Sequence, residues 1–491
     1  ARPGSASTQY LSRRMAGGVM SLISNFFKRS FFSGNGAAIA LVLALGSYGL
    51  ATYAHPTQST TEFNAARAVT DLQCVGWSEG GSSVRQRLIV ANGADVATGD
   101  NAEVTIGDKI KGLLPGASRE TDLKSGKSKH ITAEGESAQR ISALMTASKT
   151  SGDADGLAVD SCRTPSQNWW FAGIDTQAGY TSNLVLTNTT DTETVATLTG
   201  FTADGKTSMG EYSNVVVPAQ GMTVVDVTRA LPGIKSVAVH VHVVDGRLAA
   251  ALQTDVVAGI KPVGRSFTSP VETLSTRSMI VGLRDSSDET QLHLVSPLAD
   301  SIVSVILHTP DGAFPITVAT DLNLDAGVVK TIDLTEVIET SKASLEIVSD
   351  QPALAAVTMV SRVGAVRDYQ VFSQQAPILK GAVAALPSEL KLSGFQAISM
   401  SDTAVTVSAF QAGESVWTKT TNLYAGEVST LELSDQRETG MVFVVSSDSG
   451  EVFVTMWLEA KTSRGSYTSA VALLDPSTQT IAGVTLMLRT S

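Results

Sequence analysis

The chain has 491 residues, of which 43% are hydrophobic and 17% are charged, and its formal net charge at pH 7 is −11. This length exceeds one ordinary domain, and the apolar content is sufficient for several hydrophobic cores. The charge is uneven, because residues 1–29 carry five basic side chains and no acid, whereas the remainder has an excess of 16 acidic side chains. The acidic part excludes nucleic acid as an expected partner, since phosphates require Lys and Arg for neutralisation.

An uncharged stretch between Arg29 and Glu62 has its apolar centre at residues 36–54. At about 1.5 Å per residue, a helix of this length nearly matches a hydrocarbon core of about 30 Å. The sequence therefore predicts a transmembrane helix at 36–54, preceded by a basic cytoplasmic or interfacial segment at 1–35. A signal peptide cleaved after Ala54 is the alternative. The basic flank predicts a single-pass plasma-membrane protein with a cytoplasmic N-terminus and an extracytoplasmic remainder.

The predicted helix also offers a surface for contact with a partner helix. Small side chains allow two helices in a bilayer to approach closely. They recur along this segment at Gly36, Ala40, Ala44, Gly46 and Ser47. The segment is therefore expected to contact both the lipid bilayer and a membrane protein.

The chain contains only two cysteines, Cys74 and Cys162. A small, even number of cysteines in an exported chain predicts one disulfide bond, and two unrelated buried thiols are the alternative. The bond would close a first external region at 72–165, which follows a linker at 55–71. Within that region, residues 112–156 are mostly polar and are predicted to be loop-like, with a short helix near 137–149.

After Pro165, the sequence consists of short β-like runs in three similar blocks of about 100 residues. Turn glycines hold the register of the blocks, at Gly205, Gly312 and Gly413. A repeat of this length with six or seven strands predicts an immunoglobulin-like β-sandwich, and a β-propeller-like array is the alternative. The predicted fold class is mainly β: one N-terminal transmembrane helix, then an extracytoplasmic array of sandwiches, with repeats at 166–275, 276–378 and 379–491.

Motifs typical of nucleophilic hydrolases, nucleotide-binding loops and zinc metalloproteases do not occur in the sequence. His240 and His242 alternate on one predicted strand and could begin a metal site, but a third ligand is not evident. Trp169 and Trp170 could contact a partner or a glycan. Alternatively, one lies in a sandwich core and the other at a domain junction. The sequence thus predicts no catalytic residue, no cofactor and no bound metal.

From NWWFAGIDTQAGYTSNLVLTN, residues 168–188, onward through the blocks, the chain is similar to a family of actinobacterial secreted proteins of unknown function. The resemblance covers roughly residues 36–491 and consists of a tryptophan-bearing strand, an Asn that ends the next strand, and a recurrent AG…DL pattern. Members of that family are typically encoded beside a large membrane glycosyltransferase of the GT-A type, near genes for nucleotide-sugar supply. The resemblance implies an accessory role in building cell-envelope glycan, and it carries over no catalytic residue.

These observations together predict a non-catalytic, membrane-anchored extracytoplasmic scaffold that associates with a glycosyltransferase in the synthesis of arabinogalactan-type cell-wall glycan. Cell-wall glycan itself is a candidate partner. A surface carbohydrate-binding or adhesive module is the alternative function. A hydrolase or transferase is a third, and it would require a cleft with two acids of raised pKa.

Overall fold

The computed structural model describes residues 67–78, 84–93, 102–124, 126–134, 136–149, 155–284, 288–338 and 342–483. These residues are mainly β-structure, as predicted, and they form one compact unit. Within these ranges, no helix has the length and apolarity that a membrane crossing requires. The predicted transmembrane helix lies outside the described residues, as do its small residues Gly36, Ala40, Ala44, Gly46 and Ser47.

The strands fall into four consecutive blocks. The first block contains β1 (Arg67–Cys74), β2 (Arg85–Asn92), β3 (Ala102–Ile106), β4 (Lys109–Leu113), β5 (Ser118–Leu123), β6 (Lys129–Glu134), β7 (Ile141–Lys149) and β8 (Gly156–Ser161). The second contains β9 (Asn168–Ile174), β10 (Tyr180–Thr187), β11 (Thr194–Thr202), β12 (Gly205–Ser208), β13 (Asn214–Val217), β14 (Met222–Asp226), β15 (Val237–Val243), β16 (Ala249–Ala258) and β17 (Lys261–Thr268).

The third block contains β18 (Ser275–Leu283), β19 (Glu289–Val295), β20 (Ser301–Thr309), β21 (Gly312–Pro315), β22 (Leu322–Leu324), β23 (Lys330–Asp333), β24 (Ala343–Val363) and β25 (Val366–Ser373). The fourth contains β26 (Ala382–Ala385), β27 (Lys391–Ser399), β28 (Thr403–Gln411), β29 (Glu414–Leu423), β30 (Val428–Thr430), β31 (Val442–Ser447), β32 (Val452–Thr462) and β33 (Gly465–Ala472), and β34 (Thr480–Gly483) follows. Short helices lie at Glu136–Arg140, Gly210–Ser213, Val227–Ala230, Thr317–Ala319 and Pro476–Gln479.

Each block is a sandwich of two antiparallel sheets built on one strand plan. In the second block, one sheet has the order β14-β10-β16-β17 and the other has β12-β11-β15-β9. The two sheets enclose an apolar core that includes Phe171, Leu184 and Val241. In the third block, β24 serves both sheets, because its first half pairs with β18 and β20 and its second half with β19 and β25.

This plan confirms β-sandwiches but differs from the predicted immunoglobulin connectivity. In an immunoglobulin domain, the consecutive strands F and G, to which β15 and β16 correspond in order, lie side by side in one sheet. Here β16 leaves β15 and pairs with β10 and β17 in the opposite sheet, while β9 takes the place beside β15. The length of a repeat and its alternation of apolar and polar residues predict the number of strands. They do not specify which sheet each strand joins, because that depends on contacts between residues far apart in the sequence.

The first block is a fourth copy of the same plan, so the loop-like interpretation of residues 112–156 was wrong. Strands β5, β6 and β7 all lie within that range. In place of the helix predicted near 137–149 there is one 3₁₀ helix at Glu136–Arg140, followed by β7, which pairs with β2 on one side and β8 on the other. Because β7 is buried on both faces, its apolar residues do not alternate, and Ile141, Leu144 and Met145 imitate the spacing of a helix.

The last strand, β34, belongs to the first block although the sequence division placed it in the last repeat. It pairs antiparallel with β1, from Thr70 opposite Thr480 to Arg67 opposite Gly483. The two ends of the described chain therefore lie in neighbouring strands of one sheet.

The final strands of the four blocks meet at a common centre. Strand β17 contacts β8 and β25, and β33 also contacts β8 and β25. These cyclic contacts arrange the four sandwiches in a closed ring. Glycines permit the close approach, since a Cβ atom on Gly156 would lie 2.6 Å from the backbone nitrogen of Arg265, and one on Gly264 would overlap the backbone nitrogen of Tyr369. The structure therefore has β-sandwiches, as the immunoglobulin-like prediction expects, and these are arranged in a ring, as in the β-propeller-like alternative.

Candidate functional site

The predicted disulfide bond between Cys74 and Cys162 is present, with the two Cα atoms 4.6 Å apart. Cys74 is the last residue of β1, and Cys162 directly follows β8; both are buried. The bond therefore joins the end of β1 to the segment that directly follows β8, at the point where the chain passes from the first sandwich to the second.

The two tryptophans singled out by the sequence are both buried. Successive side chains of a strand point to opposite faces, so Trp169 enters the core of the second sandwich and is 2% exposed, while its Nε1 donates to the carbonyl of Leu248 at 2.7 Å. Trp170 is 8% exposed and lies in the apolar contact between the second and third sandwiches, stacked on His240 with ring centroids 3.7 Å apart. Both indoles are therefore largely enclosed, but Trp169 also lines the cleft described below, where the four sandwiches meet.

The histidine pair projects from β15, as its alternation predicts. His240 Nε2 and His242 Nδ1 lie 3.2 Å and 2.9 Å from Oδ1 of Asn168. Burial, together with the neighbouring His242, lowers the pKa of His240 to about 4, so this ring is neutral at pH 7. In the described part of the chain, no three or more His, Cys, Asp or Glu side chains are grouped as a metal site would require.

A cleft of about 700 Å³ lies where the four central strands end, and we call it the axial cleft. The segments that follow β8, β17, β25 and β33 all line it, through Arg163, Pro270, Pro377 and Asp475. Apolar side chains form much of the remaining wall, at Val271, Met279, Leu379, Met400, Phe453 and Leu474. A cleft of this size and composition is typical of a binding site.

Hydrogen bonds join the four segments that line the axial cleft. Ser166 of the first donates to Glu272 of the second at 2.6 Å, and Thr164 of the first donates to the carbonyl of Gln479 in the fourth at 2.8 Å. The Asp475 carboxylate accepts the backbone N–H groups of Leu379 and Lys380 at 3.0 Å and 2.7 Å. Burial opposes ionisation of Asp475, but these bonds and those from Ser477 outweigh it, so its pKa lies below the ordinary value. Gln375 donates to Thr455 Oγ1 at 2.8 Å, which fastens the third segment to the fourth sandwich.

Leu379 and Arg277 are among the cleft side chains that are open to solvent. Leu379 is 57% exposed, and the Arg277 side chain is 56% exposed while its Nε donates to Glu346 at 2.6 Å. Arginine is enriched at protein contact surfaces, so the positioned guanidinium of Arg277 is a candidate contact group for a partner.

The sequence analysis missed this cleft because it aligned three blocks instead of four. A simple signal was available, since one proline follows each central strand. These prolines recur at intervals of 99 to 107 residues, at Pro165, Pro270, Pro377 and Pro476. They mark the four segments that converge on the axis.

A second concavity lies between the second and third sandwiches, and we call it the junction recess. Its two lobes share Tyr180 and Glu289; the larger, which Arg367 also lines, has a volume of about 450 Å³, and the smaller, which Asp175 and Lys235 line, has about 20 Å³. Burial raises the pKa of Asp175 to about 6, with Glu289 contributing in the same direction. Lys235 Nζ lies 3.5 Å from Glu289 Oε1 at the mouth of the recess.

The interior of the ring also holds a buried carboxyl group on β25. Asp368 Oδ2 accepts the backbone N–H of Thr468 at 2.6 Å and its hydroxyl at 3.0 Å, which connects β25 to β33. Oδ1 of Asp368 is buried without a hydrogen-bond partner. Burial raises the pKa of this carboxyl to about 8, so it is largely protonated at pH 7.

Comparison with known proteins assigns the chain to a family. A profile described as "Family of unknown function (DUF5719)" matches residues 117–434, which is more than half of the chain. The match begins near β5, includes all of the second and third sandwiches, and ends in the fourth. No curated protein matches the sequence. The chain therefore belongs to the DUF5719 family of unknown function.

Proposed function

We propose that this chain is a non-catalytic accessory subunit that docks a cell-envelope glycosyltransferase through the axial cleft. In this proposal, residues 36–54 anchor the protein in the plasma membrane, the ring lies outside the cytoplasm, and nucleic acid is not a partner. The glycan under construction is of the arabinogalactan type. The nature of the partner comes from the resemblance to an actinobacterial family encoded beside such enzymes.

The axial cleft is the observation that carries the proposal. It is a concave surface with apolar walls, and hydrogen bonds between four chain segments keep it preorganised. A preorganised surface loses little conformational entropy when a partner binds, so more of the contact energy appears as affinity. Leu379 and Arg277 supply an apolar contact and a positioned cation that a loop of a membrane enzyme could engage.

The disulfide supports the extracytoplasmic location. Such bonds form and persist in oxidising compartments outside the cytoplasm. The bond between Cys74 and Cys162 is buried at the junction between the first two sandwiches, where it fixes structure instead of serving as an accessible redox pair. The basic residues before position 30 favour retention of that end on the cytoplasmic side.

The test is purification of the full-length protein from its native host in mild detergent, followed by mass spectrometry. The proposal expects a polytopic glycosyltransferase in stoichiometric amount. It also expects Leu379→Asp to abolish the association, because a buried charge would replace an apolar contact. Leu298→Asp is the matched control, since Leu298 is 74% exposed and does not line the axial cleft. A wild-type protein that purifies alone, or equal retention by both variants, would refute docking at the cleft.

A surface carbohydrate-binding module is the second candidate function. The junction recess favours it, since a tyrosine ring and several hydrogen-bonding side chains line one cavity. This candidate requires direct glycan binding by the isolated protein, whereas the first requires a protein partner.

A further inference from the structure

The junction recess is lined by different side chains from those of the equivalent concavity between the fourth and first sandwiches. The fourth and first sandwiches meet in the same way as the second and third, because β2 and β7 occupy the places that β19 and the second half of β24 occupy in the third block. The concavity there has a volume of about 170 Å³ and is lined by Arg85, Arg87 and Glu389. These side chains pair with one another across the junction, Arg87 Nη2 lying 3.3 Å from Glu389 Oε1. The charged side chains that line this equivalent concavity are therefore already paired with one another.

The recess between the second and third sandwiches is larger and its charges are already matched. Lys235 is paired with Glu289, and Arg367 Nε donates to Asp288 at 2.7 Å. Asp175 adds a carboxyl group whose pKa of about 6 leaves it mostly ionised at pH 7. A recess that carries paired groups of both signs offers little selectivity for one kind of ionic ligand. It favours a neutral molecule with many hydrogen-bonding groups.

The aromatic ring of Tyr180 indicates which kind of ligand the recess can accommodate. Tyr180 is half-buried, lies between the two lobes, and packs edge-on against Tyr369 with ring centroids 5.9 Å apart. That contact fixes the ring in place and leaves its partly exposed side toward the recess. A fixed aromatic ring beside carboxyl and amino groups suits a sugar, since C–H groups of a pyranose or furanose can pack on the ring while its hydroxyls bond to polar side chains.

We propose that the larger lobe of the junction recess binds a neutral sugar residue of a glycan, with Tyr180 against the sugar ring and Glu289 and Arg367 bonded to its hydroxyls. This inference deepens the proposed function and rests on it for the source of the glycan: the accessory subunit would hold the polymer in the recess while the axial cleft holds the enzyme. The recess and the cleft have no lining residue in common.

The test is a saturation-transfer difference NMR titration of the full-length protein in mild detergent. The probes are the methyl glycosides of arabinose, galactose, glucose and mannose. We expect at least one glycoside to bind, and we expect Glu289→Gln and Tyr180→Leu each to weaken it by about tenfold, the effect of losing one charged hydrogen bond or the aromatic contact. Glu389→Gln is the matched control, because Glu389 is an ion-paired glutamate at the other junction, and it should leave binding unchanged.

Two results would overturn the inference. One is the absence of a transfer signal from all four glycosides with the wild-type protein. The other is a signal that both recess variants, shown to be folded by their thermal unfolding, leave unchanged. Co-purification of the glycosyltransferase is scored in the same preparations, so the two proposals fail separately. Sugar binding without the enzyme refutes docking alone, and enzyme binding without sugar refutes the recess alone.

Discussion

Replacement of Asp368 by asparagine should stabilise the protein at neutral pH. The carboxyl group has a pKa of about 8 in the folded protein because it is buried, whereas an aspartate in an unfolded chain titrates near 3.8. Folding at pH 7 therefore requires uptake of a proton. The cost corresponds to roughly three pKa units, or about 4 kcal/mol as an upper bound. Asparagine has the same shape and no proton to acquire, and its amide oxygen can accept both bonds from Thr468.

The sign of the pH dependence follows from the same comparison. Between about pH 4 and pH 8 the folded state binds one more proton at Asp368 than the unfolded state, so this residue lowers the free energy of unfolding as the pH rises. Asp368→Asn should remove that contribution. The variant should exceed the wild type most at pH 8 and least near pH 4.

Urea denaturation at pH 5, 6, 7 and 8, followed by tryptophan fluorescence, measures both effects. Asp475→Asn is an informative comparison. Asp475 is ionised in the folded protein and accepts backbone N–H groups, so its loss should destabilise the protein at neutral pH. An Asp368→Asn variant that is less stable than the wild type at pH 7, or whose difference from the wild type does not change with pH, would show that the carboxyl is ionised in the ring.

Three further substitutions test the closure of the ring. Replacing Cys74 and Cys162 by serine should lower the free energy of unfolding by about 4 to 5 kcal/mol, since the bond encloses a long loop, and calorimetry under non-reducing conditions measures the loss. Arg87→Ala should cost about 1 to 3 kcal/mol in urea denaturation because Arg87 pairs with acids of two sandwiches, whereas Arg85→Ala, at a more exposed pair, should cost less. Gly264→Ala should prevent close packing of β17 against β25 and lower the unfolding temperature, because the added Cβ would overlap the backbone nitrogen of Tyr369 and the residue has a positive φ.

The sequence was sufficient for features that depend on local pattern. Glycines such as Gly205, Gly312 and Gly413 adopt positive φ in tight turns, so they revealed three blocks at the correct spacing. The pairing of Cys74 with Cys162 needed only a count of cysteines. A turn glycine is recognised from a few neighbouring residues, and two cysteines allow only one pairing. Both features can therefore be predicted from the sequence alone.

The candidate sites depended on contacts that the sequence does not encode locally. Asp175 and Glu289 belong to different sandwiches and meet only because the second and third pack together. The axial cleft requires four segments from four blocks. The first sandwich was missed because burial of β7 on both faces removes the alternation that identifies a strand.

The pairing of β1 with β34 has a consequence for how the protein is made. During synthesis, β1 emerges near the beginning and β34 near the end, so the edge of the first sheet stays uncovered until Thr480–Gly483 have left the ribosome. An uncovered edge strand can pair with other chains and aggregate. We therefore expect the edge formed by β1 to be open to pairing with other chains until β34 covers it.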